Sequence, residues 1–243
     1  MGKARAAKRQ AYVKSSNNNT NVVKLTTFLP KKARTVDLLP RNKSQETYVL
    51  ALTAPEKDIV FGIGPAGTGK TMLACQAAVK AFLAGEVDKI IVTRPAVSTD
   101  EDLGFLPGTL EEKMAPWCRP LFDVFQEYFY ASELKTMMEE KVLEISPLGY
   151  MRGRTFKNAF IIADECQLTT PGQMKMLLTR LGVGSKMIIT GDLKQADRGS
   201  DNGLLEFLDK FDHSNRIQIV KFNTKDVERH PVVKEILRIY GDE

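Results

Sequence analysis

The feature that most constrains this chain is a glycine-rich octapeptide with the spacing GxxxxGKT, Gly64-Pro65-Ala66-Gly67-Thr68-Gly69-Lys70-Thr71. A five-residue apolar stretch, 59–63, precedes it, and a helical stretch beginning at Met72 follows. A strand, a glycine-rich turn and a helix in this order point several backbone N–H groups and a helix dipole at one anion. The sequence therefore predicts a phosphate-binding P-loop.

Two side chains of the loop have separate expected roles. Lys70 would reach the β and γ phosphates of a nucleotide as a point charge, and the Thr71 hydroxyl would coordinate Mg²⁺. We predict that all eight loop residues bind the nucleotide and that Lys70 is also catalytic.

A dinucleotide site is the alternative. Gly62, Gly64 and Gly67 also match GxGxxG, with Glu86 or Asp88 at a distance suited to a ribose-binding acid. That pattern is weak by itself, and it gives no role to Lys70 and Thr71.

The rest of the chain alternates between short apolar stretches and helical stretches, which is typical of an α/β fold with a parallel sheet. Predicted strands cover 59–63, 89–93, 142–146, 159–163, 186–190 and 217–222. Predicted helices cover 43–54, 70–84, 109–127, 171–180, 203–211 and 224–240.

A second group of candidate residues follows the strand at 159–163. Asp164 would hold Mg²⁺, and Glu165 would activate a water for attack on the γ phosphorus. Such a pair of acids after a strand is by itself more often a surface turn, and the P-loop upstream is what favours the catalytic interpretation.

Two glutamines are further candidates. Gln195, after the strand at 186–190, would sense the γ phosphate, unless 191–192 is only a turn and Gln195 a solvated residue. Gln45, on the helix before the P-loop strand, could present its amide to adenine, unless it is merely an exposed helix residue. ATP is favoured over GTP because no Asn-Lys-x-Asp motif follows a strand.

Charge is distributed unevenly along the 243 residues. Residues 1–36 hold nine Lys or Arg and no acid, whereas residues 37–243 carry 26 basic and 30 acidic side chains. We expect a basic, disordered arm, 1–36, that either contacts nucleic-acid phosphates or merely solubilises the chain, followed by one ATPase domain, 37–243.

No membrane span or secretory signal is visible, and the three cysteines lack zinc or disulfide spacing, so we expect a cytoplasmic protein.

These motifs together resemble the PhoH family of bacterial and phage ATPases, which is similar to the first motor domain of superfamily 1 helicases. The resemblance runs from about Asp37 to the C-terminus and depends on stretches at 40–45, 64–71, 93–97, 104–108, 150–155, 164–167, 191–195 and 226–231. It implies a single RecA-like P-loop domain, with helices on both faces of a mostly parallel sheet, that hydrolyses ATP with Mg²⁺ and acts on RNA or single strands. The family's pattern is departed from after Gln195, where Ala196-Asp197-Arg198 stands in place of the expected Asp-Leu-Pro.

Arginines supply the remaining predictions. Arg94, Arg152 and Arg154 lie between elements, where they would contact a nucleic-acid backbone, although each alone is more often a solvated charge. Arg229 is our first candidate for an arginine finger, acting within its own chain or across a homo-oligomer, for which a hexameric ring is favoured. An ATP-driven nucleic-acid motor is our first functional hypothesis, and the alternatives are an ATP-dependent binding switch that does not unwind and a small-molecule phosphotransferase.

Overall fold

Six parallel strands form one sheet. The computed structural model describes residues 35–95, 110–195, 201–228 and 231–240 of the chain. The strands are β1, Ile59–Ile63; β2, Lys89–Thr93; β3, Leu143–Ile145; β4, Ala159–Ala163; β5, Lys186–Gly191; and β6, Ile217–Lys221. Their order across the sheet is β3-β2-β4-β5-β1-β6, and every pair is parallel. The predicted α/β class is confirmed, and the order places β5 between the strands that precede the two main motifs.

Helices cover both faces of the sheet, because successive strand residues point to opposite sides. The helices of the described residues are α1, Lys43–Thr53; α2, Lys70–Ala84; α3, Leu110–Tyr128; α4, Ala131–Glu139; α5, Pro171–Leu178; α6, Gly203–Lys210; and α7, Pro231–Tyr240. Val60 and Ile162 pack into a core with α1 to α4, whereas Phe61 and Ile161 pack into a second core with α5 and α6. This arrangement is the predicted RecA-like single domain.

Side chains at the helix starts explain several boundaries. The Asn42 side chain accepts a hydrogen bond from the Gln45 N–H and begins α1. Thr170 and Gln173 form a reciprocal capping box at α5, where Pro171 occupies the first turn. These residues satisfy backbone N–H groups that have no partner inside the helix.

Two sequence-based assignments were wrong. The single helix predicted over 224–240 is instead a short 3₁₀ turn, Thr224–Asp226, followed by α7, which begins at Pro231. Proline disfavours helical backbone at the residue before it, and the Asn223 side chain caps the turn at the Lys225 N–H. The sequence analysis also missed α4, whose start is marked by the Glu133 carboxylate accepting from the Tyr130 N–H.

Cys75, Cys118 and Cys166 are all buried free thiols. Burial raises the pKa of each thiol, to about 11 for Cys118, so all three stay protonated near neutral pH. Within the described ranges, no helix has both the length and the apolar composition needed to cross a membrane.

Candidate nucleotide-binding site

A cavity of about 350 Å³ lies at the carboxyl edge of the sheet, where β1, β5 and β4 end. Its lining includes five P-loop residues, Ala66, Gly67, Gly69, Lys70 and Thr71, together with Asp164, Glu165 and Gln195. The structure thus brings together side chains that the sequence analysis placed in one site. A larger cavity, of about 700 Å³, lies at the opposite, amino edge and includes Lys186 in its lining. The larger cavity is lined by Glu86, an acid of the dinucleotide alternative, but by none of the P-loop or predicted catalytic residues. The chemistry therefore points to the smaller cavity.

The P-loop backbone needs glycine for two different reasons. Gly67 and Gly69 both have φ of +79°, in the left-handed region that favours glycine. Gly64 lacks room for a side chain, since a Cβ there would come within 2.4 Å of the Phe222 carbonyl oxygen. Hydrogen bonds hold the loop to the segments on either side of β1. The Gly64 N–H donates to the carbonyl of Gly191 on β5, and the Gly67 carbonyl accepts from the N–H of Glu228, which follows β6.

Lys70 lies inside this loop. Its Nζ donates to the carbonyl oxygens of Gly64, at 2.7 Å, and Pro65, at 2.6 Å. Burial lowers the pKa of the Lys70 ammonium, and nearby carboxylates, Asp192 first, oppose part of that shift. The ammonium is therefore held at the mouth of the loop, where phosphate oxygens can replace carbonyl oxygens as its partners.

The proposed metal ligands are already in contact. The Thr71 hydroxyl donates to Asp164 Oδ1 at 2.8 Å, and the Thr190 hydroxyl donates to the same oxygen. No cluster of three or more His, Cys, Asp or Glu suited to a metal ion occurs in the described part of the chain. One carboxylate beside one hydroxyl nevertheless fits Mg²⁺ in a nucleotide site, since that ion keeps waters and takes phosphate oxygens as ligands.

Glu165 has an unusual backbone conformation and two side-chain partners. Its φ of +55° lies in the left-handed region, which is uncommon for a residue other than glycine. Arg94 Nη2 lies 3.4 Å from Glu165 Oε1, and Gln167 Nε2 donates to Glu165 Oε2 at 2.5 Å. The structure thus places Arg94, predicted as a nucleic-acid contact, in the nucleotide cavity. Gln167 was missed as a functional residue, although it belongs to the same sequence motif.

Gln45 lies beneath the P-loop and is buried, so the alternative of an exposed helix residue was wrong. Its Nε2 donates to the Thr68 carbonyl at 3.0 Å, and its Oε1 accepts from the Arg41 N–H at 2.8 Å. One amide hydrogen and one lone pair remain for a base. Gln195, in contrast, is exposed at the rim of the cavity.

The remaining arginines have different environments. Arg154 forms a bidentate ion pair with Glu144 on β3, and its guanidinium lies 4.5 Å from the centre of the Phe156 ring. This gives Arg154 a structural partner on β3, outside the cavity that holds the P-loop residues. Arg152 is exposed at the end of the 148–151 turn. Arg229 lies outside the described residues.

Fold and site together define a domain of the P-loop NTPase class. A model of the PhoH-like protein family matches residues 37–241, and the chain belongs to that family. The resemblance drawn from the motifs is thereby confirmed.

Similar proteins come from several bacteria. The chain is 47% identical over 214 residues to a PhoH-like protein of Bacillus subtilis, covering 87% of this chain and 66% of that protein. It is 42% identical over 211 residues to the protein PhoH of Escherichia coli K12, covering 85% of this chain and 59% of that protein. The chain thus spans less than two thirds of the length of these relatives. A crystal structure of a Pif1 helicase from Candida albicans is 16% identical to this chain. The match covers 76% of this chain and 40% of the helicase chain, with a TM-score of only 0.35.

Replacing Gln45 with alanine should loosen the P-loop, because the Thr68 carbonyl loses its buried donor. One hydrogen bond contributes about 1 kcal/mol, so we expect the affinities for ATP and GTP to fall roughly 3- to 10-fold alike, measured by calorimetry. A contact with adenine would add a further loss for ATP alone. Thr47→Ala, on the exposed side of the same helix, is the control, and an unchanged GTP affinity in Gln45→Ala would contradict the supporting role.

Proposed function

We propose that the chain binds ATP with Mg²⁺ and hydrolyses it to ADP and phosphate. The observation that carries this proposal is the convergence of Lys70, Asp164 and Glu165 on one cavity at the carboxyl edge of the sheet. A cation for the phosphates, a carboxylate for the metal and a second carboxylate for the water are the groups that phosphoryl transfer to water needs.

Different residues of the chain would bind the phosphates, hold the metal ion and activate the water. Lys70 and the P-loop N–H groups would bind the β and γ phosphates, while Thr71 and Asp164 would hold Mg²⁺, which neutralises phosphate charge when bound. Glu165 would accept a proton from the attacking water. Gln195, exposed at the rim, would contact the γ phosphate and report its loss. Gln45 would favour adenine through its remaining donor and acceptor.

Two substitutions separate binding from catalysis. Lys70→Ala should weaken ATP binding roughly 10- to 100-fold, because it removes a charged hydrogen-bond donor to the phosphates. Glu165→Gln should keep ATP affinity and lower kcat roughly 10²- to 10⁴-fold, the range for a general base. Phosphate release and equilibrium nucleotide binding measure the two effects. Glu139→Gln, exposed on α4, is the control, and equal loss of ATP binding in both site variants would remove the water-activating role of Glu165.

Nucleic acid is the proposed partner, with RNA or a single strand as the preferred form. The proposed contacts are the nine positive charges of the arm, 1–36, and the arginines Arg94, Arg152 and Arg154. The position of Arg94 supports a connection between nucleic-acid binding and ATP hydrolysis, because its guanidinium lies beside the carboxylate of Glu165. Hydrolysis would then drive translocation or unwinding.

The buried free thiols suit a reducing compartment, and we propose a cytoplasmic location.

Deleting residues 1–34 should lower the affinity for single-stranded RNA and leave basal ATP hydrolysis intact. Each phosphate contact contributes about 0.7 to the slope of log affinity against log salt on a single strand, so the slope should flatten as well. Fluorescence anisotropy between low and moderate salt measures both quantities. A full-length variant with all nine Lys and Arg of the arm changed to Gln separates charge from length. An unchanged slope in both variants would return the arm to the role of a solubilising tail.

The ATP site also needs a positive charge opposite the P-loop, and we propose Arg229. The Glu228 N–H donates to the Gly67 carbonyl at 2.9 Å, so the residue immediately before Arg229 touches the loop of its own chain. This contact supports a finger acting in cis. The homo-oligomer, with a hexameric ring as its favoured form, would then serve nucleic-acid binding more than completion of the ATP site.

Mixing inactive variants tests this arrangement. Arg229→Ala should lower kcat by about 10³- to 10⁵-fold, the usual contribution of an arginine finger. A co-assembled mixture of Arg229→Ala with Lys70→Ala should stay inactive, because each chain lacks one half of its own site. Recovery of ATP hydrolysis in that mixture would contradict the cis arrangement and show that a neighbouring chain supplies the arginine.

A further inference from the structure

Gln167 connects two separate parts of the nucleotide site. Its side chain is buried, with 2% of its surface exposed. Nε2 donates to Glu165 Oε2 at 2.5 Å, and Oε1 accepts from the Asp192 N–H at 3.1 Å. The Gln167 carbonyl accepts from Asn202 Nδ2 at 2.8 Å, at the start of α6. Gln167 is thus held by three hydrogen bonds in the space between β4 and β5.

The orientation of this amide is set by its partners. A backbone N–H can only donate, so the atom that faces Asp192 must be the amide oxygen. The NH₂ group therefore faces Glu165, whose ionised carboxylate can only accept. An amide is the one common side chain of this length that satisfies both neighbours at once. Glutamate would lose the donor, and methionine would lose the donor and the acceptor.

The close approach to β5 depends on a second feature, the absence of a side chain at Gly191. A Cβ there would lie 3.1 Å from Gln167 Oε1 and 3.2 Å from its backbone nitrogen. Both separations are tighter than most Cβ contacts, so Gln167 would have to shift, and Leu204 Cδ2, at 2.6 Å from that Cβ, would have to move as well. Gly191 therefore admits the Gln167 side chain to the end of the strand that leads to the Leu193–Gln195 turn.

We propose that Gln167 is the positioning residue for Glu165, and that it couples the Glu165 carboxylate to the segment carrying Gln195. This inference rests on the proposed ATP hydrolysis. Glu165 needs such support because its backbone is left-handed and its carboxylate must be aimed at a water. Asp192 precedes the turn that carries Gln195, the proposed γ-phosphate sensor. If this turn moves, the Asp192 N–H would move with it, and the Gln167 amide would transmit that movement to the Glu165 carboxylate.

The test compares Gln167→Glu with Gln173→Glu, a matched change in the capping box of α5, away from the cavity. Gln167→Glu keeps an acceptor for Asp192 but places a second negative charge beside Glu165. We expect kcat to fall roughly 10- to 100-fold, part of the range for a general base, with the nucleotide Kd within about 2-fold of the parent. Gln173→Glu should change neither quantity.

Gln167→Met supplies a readout that needs no turnover. Loss of both side-chain bonds should shift the ¹³C carboxylate resonance of Glu165 and speed hydrogen exchange at the Asp192 amide. A Gln167→Glu protein that turns over like Gln173→Glu would overturn the proposal, as would a loss of kcat matched by an equal loss of nucleotide affinity. Absence of ATP hydrolysis in the parent protein would refute the proposed function instead, and the resonance and exchange data would still decide the role of Gln167.

Discussion

The site depends on one shared acceptor, the Oδ1 atom of Asp164, which takes hydrogen bonds from Thr71 and Thr190. These three residues come from the end of β4, the first turn of α2 and the body of β5. Because β5 separates β1 from β4, the carboxylate reaches the P-loop helix only across the end of that strand. The parallel register, which pairs Gly62 with Thr190 and Ala163 with Ile189, sets the distance to be spanned. A sheet with the two motif strands adjacent would place these groups differently.

Electrostatics at the loop follow from the same geometry. The Lys70 ammonium is largely buried and donates to two carbonyl oxygens of its own loop. Burial lowers its pKa, and the nearby carboxylates, Asp192 first, oppose that shift. Polar groups in this setting are costly when unpaired, and the Gly64 and Pro65 carbonyls supply the pairing. Phosphate oxygens carry more negative charge than carbonyls, so transfer of the ammonium to a nucleotide is favourable.

The sequence was sufficient to predict all six strands of the described residues and most of the side chains that line the smaller cavity. Local patterns suffice for these, since strands have apolar runs and GxxxxGKT has its own turn chemistry. It was insufficient where contacts join distant parts of the chain. Burial of Gln45 beneath Thr68, the bond between Gln167 and the Asp192 backbone, and the pairing of Arg154 with Glu144 all depend on the packing of separate elements. The break before α7 is different, because Pro231 is a local signal in the sequence that disfavours one continuous helix over 224–240.

Arg94 connects the proposed partner to the proposed chemistry. It follows β2, next to β4 in the sheet, and this neighbour relation brings its guanidinium to Glu165. A guanidinium that turns toward a nucleic-acid phosphate gives up its position beside Glu165. Nucleic-acid binding and the position of the proposed catalytic carboxylate would then depend on one side chain. Sites that share a group in this way are coupled, and the coupling is reciprocal for binding free energies. Nucleotide and nucleic acid, where both bind, must then alter each other's affinity by the same factor.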